Sequence, residues 1–131
     1  GLENFNDYSF DFVIMSQSIQ ALKKPEVALK EIVRIGKESI VSIPNFANYK
    51  CRIQLLTKGR MPVSKALPHD WYSTPNLHLC SLEDFEGLCK KLNIKILERK
   101  LSKAGGKTGK LMEIFPNFLS EVALYKIVKE N

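Results

Sequence analysis

Two short polar runs follow apolar ones early in this sequence, and they carry the side chains best suited to hold a small ligand. Ser16, Gln17, Ser18 and Gln20 come directly after F-D-F-V-I-M at residues 10–15, and Asn45 comes directly after E-S-I-V-S-I-P at residues 38–44. Neutral hydrogen-bonding groups in such places suit an uncharged or zwitterionic ligand, or else serve only the backbone of their own loops. Another concentration of chemistry lies in residues 60–80, where Arg60, Met61, Trp71, Tyr72 and His78 stand among three prolines, Pro62, Pro68 and Pro75. Arginine, methionine and aromatic residues are enriched at contact surfaces, so this stretch reads as a lid or a partner-binding segment. Burial of Trp71 in a core is the competing reading, since it is the only tryptophan.

Other chemistries fail on spacing. G-K-T at residues 106–108 resembles the tail of a phosphate loop, but Leu101 stands where that loop needs its first glycine. His78 and Cys80 could offer two metal ligands, yet His69 and Cys51 do not form a second pair, so no metal site is expected. A hydrolase serine would sit in G-x-S-x-G, which does not occur. No residue is singled out as catalytic.

The elements that must position these groups follow from periodicity. Residues 10–15 and 39–43 are short apolar runs, read as strands buried on both faces. Asp11 inside the first would then be a buried carboxylate in need of partners, either capping backbone at the strand entrance or poised for catalysis. Between the runs, Pro25 starts a helix to about Ile35, with Ala28, Leu29, Ile32 and Val33 on one face. The resulting β-α-β unit makes its two strands parallel neighbours, and a ligand belongs beyond their carboxyl ends. Residues 49–57 form a helix with Ile53, Leu56 and Tyr49 turned inward, ended by Gly59. Ser81 caps a further helix bearing Leu82, Phe85, Leu88, Cys89 and Leu92, with Asp84 completing a capping box. Strands over residues 94–101 and 121–129 close the chain.

The chain has 131 residues, 44% of them hydrophobic and 26% charged, which suits one folded domain. No apolar run is long enough to span a bilayer, so no membrane role is expected. Three cysteines without C-x-x-C spacing suit a reducing cytoplasm. The net charge of +6 admits a nucleic-acid-binding module. The lysines are spread along the chain, however, and an apolar loop interrupts Lys50, Arg52, Lys58, Arg60 and Lys65, so no nucleic-acid partner is expected.

F-D-F-V-I-M-S-Q-S-I-Q-A-L at residues 10–22 and P-E-V-A-L-K-E-I-V-R-I-G at 25–36 resemble the second half of a class I S-adenosylmethionine-dependent methyltransferase fold. More specifically, S-I-P-N-F at 42–46, C-R-I-Q-L-L-T-K-G-R-M-P-V-S-K-A-L-P at 51–68 and W-Y-S-T-P-N-L-H-L-C-S-L-E-D-F at 71–85 resemble the methionine-biosynthesis MetW family. I-L-E-R at 96–99 and P-N-F-L-S-E at 116–121 extend the likeness nearly end to end. The resemblance implies an α/β, Rossmann-like mixed sheet with three parallel strands and one antiparallel C-terminal strand, flanked by helices. That last strand should lie between residues 39–43 and 94–101, leaving 10–15 at an edge. It also implies association with homoserine O-acyltransferase of the MetX type. The family's glycine-rich cofactor loop should lie upstream of Gly1, because no G-x-G-x-x-G occurs here. Residues 1–131 are therefore expected to be a single partial methyltransferase-like domain, partnered by a missing N-terminal half of the same fold, with residues 60–80 as its lid or interaction loop. Such a chain could hold one side of an S-adenosylmethionine site, through Ser16, Gln17, Ser18 and Gln20. Three readings follow: a subunit supporting the acyltransferase, a small-molecule methyltransferase lacking its cofactor half, and, remotely, a basic nucleic-acid-binding module.

Overall fold

The computed structural model describes residues 4–16, 22–63, 72, 79–102 and 113–130. In chain order they form β1 (Phe10–Ser16), α1 (Pro25–Ile35), β2 (Gly36–Pro44), α2 (Tyr49–Lys58), α3 (Leu82–Lys91), β3 (Ile94–Ser102), α4 (Pro116–Leu119) and β4 (Val122–Lys129). One four-stranded sheet has the order β1-β2-β4-β3. β1 and β2 pair in parallel, Val13 opposite Ser39 and Met15 opposite Val41. β4 is antiparallel to β2 and to β3, with a register shift between Ile96 and Glu98. The last strand thus lies where expected, between β2 and β3. Of the anticipated parallel pairing, β1–β2 is the one parallel ladder among the described residues.

Alternation along the strands gives the sheet two unlike faces. Val41, Ile43, Ala123, Tyr125 and Ile127 are fully buried on one face, beneath Leu29, Ile32 and Val33 of α1 and Leu82, Phe85 and Cys89 of α3. The Ser39 hydroxyl is buried there too, and it donates to the carbonyl of Ile32 at 3.1 Å. Gly36 allows α1 to turn directly into β2, since a Cβ there would meet Val13 Cγ2 at 2.7 Å. α3 carries the full capping box, with Asp84 N–H donating to Ser81 Oγ and the Asp84 carboxylate accepting from Ser81 N–H. Gly59 ends α2 in the left-handed region at φ 62°, which favours glycine.

The opposite face is open. Phe12 is 58% exposed and Ile14 72% exposed, and Glu38 pairs with Lys126 at 3.4 Å beside them. β1 is therefore not buried on both faces. It has a single described neighbour, β2, and α1 covers one side only. Asp11 is exposed as well, and it pairs with Lys37 at 3.2 Å instead of needing buried partners. The inward orientation expected for α2 also fails. Cys51 is its one buried residue, while Ile53 is 52% and Leu56 86% exposed.

Candidate functional site

The carboxyl end of β2 is built around two buried asparagines. Proline at the last position of β2 supplies no N–H, but Asn45 N–H carries the pairing one step further by donating to the Glu121 carbonyl at 2.9 Å, and side-chain amides add to it. Asn45, 1% exposed, donates from Nδ2 to the carbonyls of Asn117 and Ser120, both at 2.9 Å, and its Oδ1 accepts from Ala47 N–H. Asn48 caps α2 by accepting from Lys50 N–H, and its Nδ2 donates to Leu119 and Ser120 carbonyls. Asn117 in turn accepts from the N–H groups of Leu82 and Glu83, tying α4 to the start of α3. Lys50 meets the nearly buried Glu121 at 2.9 Å, and this contact raises the lysine pKa. Phe46 N–H donates to the Cys80 carbonyl, so the chain on the far side of residues 60–80 is pinned to the same place.

Such an arrangement holds backbone segments together and uses every polar atom of the Asn45 amide in doing so. Ser16 ends β1, in register with Ser42. Gln17, Ser18 and Gln20 lie outside the described residues, as do Trp71 and His78. Arg60, Met61 and Tyr72 are brought together: with Gln54, Lys58 and Val63 they line a cavity of about 710 Å³ beside α2. Gln54 holds that segment by exchanging two hydrogen bonds with the backbone of Val63, at 3.0 and 3.1 Å. Neither Ser16 nor Asn45 lines this cavity.

Sequence reasoning missed a charged cluster on the covered face of the sheet. Arg99 Nη1 donates to both Glu86 carboxylate oxygens at 3.1 Å, and the buried Tyr125 hydroxyl donates to Glu86 at 3.0 Å. Burial first, and the Glu86 charge second, push the Tyr125 pKa well up. The neutral phenol is thereby favoured, in keeping with its hydrogen bond to the Glu86 carboxylate. Among the described residues, no group of three or more His, Cys, Asp or Glu could hold a metal ion, and no helix is long and apolar enough to cross a membrane.

None of the three cysteines forms a disulfide. Burial raises the thiol pKa of Cys51 and pushes that of Cys89 up to about 12, so neither supplies thiolate near neutrality. In the folded protein a thiol-specific reagent is expected to label Cys80, which is only partly buried, well before Cys51 or Cys89. Mass spectrometry of the labelled peptides over time checks this; early labelling of Cys89 would contradict the packing of α3 against the sheet.

The family model for methionine biosynthesis protein MetW matches residues 1–127. The chain belongs to the MetW family. It is also 36% identical over 99 residues to a bifunctional methionine biosynthesis protein MetXA/MetW of Rhodopirellula baltica, a match covering 75% of this chain and 16% of that protein. Among solved structures, an S-adenosylmethionine-dependent methyltransferase of Thermotoga maritima superposes with a TM-score of 0.58 at 22% identity, over 96% of this chain and 58% of that one. The [4+2]-cyclase SpnF superposes with a TM-score of 0.59 at 17% identity, over 96% of this chain and 53% of that one. At these identities the likeness establishes a methyltransferase-like α/β fold. This MetW-family chain thus spans a little over half of those structures and a sixth of its fused relative.

Among the described residues, no glycine forms a backbone cradle for S-adenosylmethionine. Gly36 is packed under Val13, Gly59 ends a helix and Gly87 lies inside α3, so none opens a backbone concavity at the end of a strand. Of the polar group expected after β1, Ser16 is the one that lies among the described residues.

Proposed function

We propose that this MetW-family chain works in methionine synthesis by associating with the MetX-type homoserine O-acyltransferase and supporting its reaction. The observation that carries this reading is the Rhodopirellula baltica relative, whose single chain bears both the MetXA and the MetW designations. Fusion holds two modules at high effective concentration, an arrangement that favours domains acting on each other. We read residues 1–131 as part of one methyltransferase-like domain, with β1, β2 and β3 sharing a direction and β4 reversed. The remaining part of that fold would cover the exposed apolar positions of β1, which otherwise offer an edge prone to aggregation. S-adenosylmethionine, if bound, would be held mainly by that remaining part, with Ser16, Gln17, Ser18 and Gln20 on one side of it. Arg60, Met61 and Tyr72, together with Trp71 and His78, belong to the partner side of the molecule in this reading. A cytoplasmic setting suits the three thiols.

The second reading, methyl transfer to a small molecule, draws on the Thermotoga maritima neighbour. SpnF, named a cyclase on the same fold, weakens any step from fold to methyl transfer. Titration of the complete gene product with the homoserine O-acyltransferase of the same source, followed by sedimentation, tests the first reading. A stoichiometric complex is expected. Independent sedimentation of the two at concentrations well above micromolar would sink it.

A further inference from the structure

We propose that the depression bounded by α2, the start of α3 and α4 is a binding site for a free α-amino acid with an apolar side chain. The inference goes beyond the functional reading above and does not depend on it.

The depression holds about 570 Å³, within the usual size of a small-molecule site. Its walls carry both signs of charge and an apolar surface. Arg52 of α2 and Glu83, in the first turn of α3, supply the charges, while Leu82, Ile114, Phe115 and Phe118 supply the apolar part. Two more lining charges, Glu86 and Arg99, satisfy each other at 3.1 Å. Arg52 and Glu83 differ from them: among the described residues neither forms a salt bridge.

The Arg52 guanidinium is held in place without being used up. Its Nε donates to the Ala47 carbonyl at 2.7 Å and its central carbon lies 5.1 Å from the Phe118 ring centre, which leaves the terminal nitrogens for a ligand. Asn117 fixes the other side, its Oδ1 accepting from the N–H groups of Leu82 and Glu83. The unpaired opposite charges thus flank two consecutive residues of α4, Asn117 and Phe118. Walls tied in this way need little ordering when a ligand binds.

Chemistry narrows the ligand. A carboxylate suits the forked guanidinium, and an ammonium suits the Glu83 carboxylate. A simple anion would be opposed by Glu83 and Glu86, and a simple cation by Arg52. An extended peptide carries its two terminal charges far apart, whereas a free amino acid carries both on one carbon. The exposed Ile114, Phe115 and Phe118 gain when an apolar side chain covers them.

Calorimetric titration of the complete gene product tests this, with L-leucine, L-methionine and L-phenylalanine as probes. At least one is expected to bind with a dissociation constant of about a millimolar or tighter. N-acetylation of that probe removes its positive charge and amidation its negative one. Each change is expected to weaken binding at least about tenfold, and glycine to bind more weakly than the probe. Arg52→Gln and Glu83→Gln are each expected to weaken it at least about tenfold, while the remote Lys129→Ala matches wild type. Both positions are exposed, so the melting temperatures of the free variants should be unchanged. Should either variant fail to fold, the blocked probes still decide on the wild-type protein. Absence of binding by all three probes would overturn the proposal, as would equal binding of the blocked forms. Folded variants that both bind like wild type would place any amino-acid site elsewhere and overturn it as well. None of these results touches acyltransferase association, which stands or falls separately.

Discussion

Replacement of Asn45 by aspartate is expected to destabilise the fold by about 3 kcal/mol or more at neutral pH. The side chain is 1% exposed, and its Nδ2 sits 2.9 Å from each of two carbonyl oxygens, those of Asn117 and Ser120. Aspartate is nearly the same shape but presents an oxygen there, acceptor against acceptor. The ionised form suffers twice, from burial and from the carbonyl dipoles, so the folded-state pKa of the new carboxyl should rise above its ordinary value of about 3.9. Between those two values the folded state binds more protons than the unfolded one. The stability of Asn45→Asp should accordingly be greater in acid and fall as pH rises through the raised value. Urea unfolding of both proteins at acid and neutral pH measures this. A loss under about 1 kcal/mol at neutral pH would mean that water reaches the site and the asparagine is not a structural tie.

The second large effect separates ring from hydroxyl at Tyr125. Its side chain is fully buried, and its ring lies 4.7 Å from that of Phe85, so α3 and the centre of the sheet meet there. Tyr125→Ala should cost about 4 kcal/mol, the usual loss for an aromatic ring removed from a packed core. Tyr125→Phe should cost only about 1 kcal/mol, because Glu86 keeps both hydrogen bonds from Arg99. Wild type should also lose stability as pH climbs above 10, because the raised phenol pKa keeps the folded state protonated where the unfolded chain ionises. The phenylalanine variant should lack that part of the dependence. Equal losses for the two substitutions would locate the stabilisation in the hydroxyl network and contradict the packing account.

Much of this architecture was legible in the sequence because its elements bury one face at a regular period. α1 starts at Pro25 and buries Leu29, Ile32 and Val33, as the i, i+3, i+4 spacing predicts. Ser81 and Asp84 announce α3 through a local motif that needs no tertiary knowledge. Periodicity does not say what will cover a stripe. Tyr49, Ile53 and Leu56 were legible as one face of a helix, yet Ile53 and Leu56 turn outward and Tyr49 is only half-buried, against Phe118. The same limit applies to residues 10–15, whose apolar run says nothing about how many neighbours the strand has. α4 escaped notice because four residues carry no measurable period. The hydrogen-bonded tie at the end of β2 was invisible for another reason: Asn45 and Asn48 reach carbonyls more than 70 residues away. Asn48 could have been found as a helix N-cap, a position asparagine favours, but its long-range role could not. Asn45 was correctly placed at a strand end, and burial rather than ligand geometry is what the structure adds there.

The central claim is that this chain supports an acyltransferase, and the rate of acyl transfer tests it most directly. Homoserine O-acyltransferase from the same source would be assayed alone and with the complete gene product at increasing ratios, with labelled S-adenosylmethionine present to report any methylated product. The account predicts that acyl transfer rises, saturates near equimolar ratio, and proceeds without transfer of label. An unchanged acylation rate across the whole range, with label appearing in a small molecule, would contradict it and favour the methyltransferase reading.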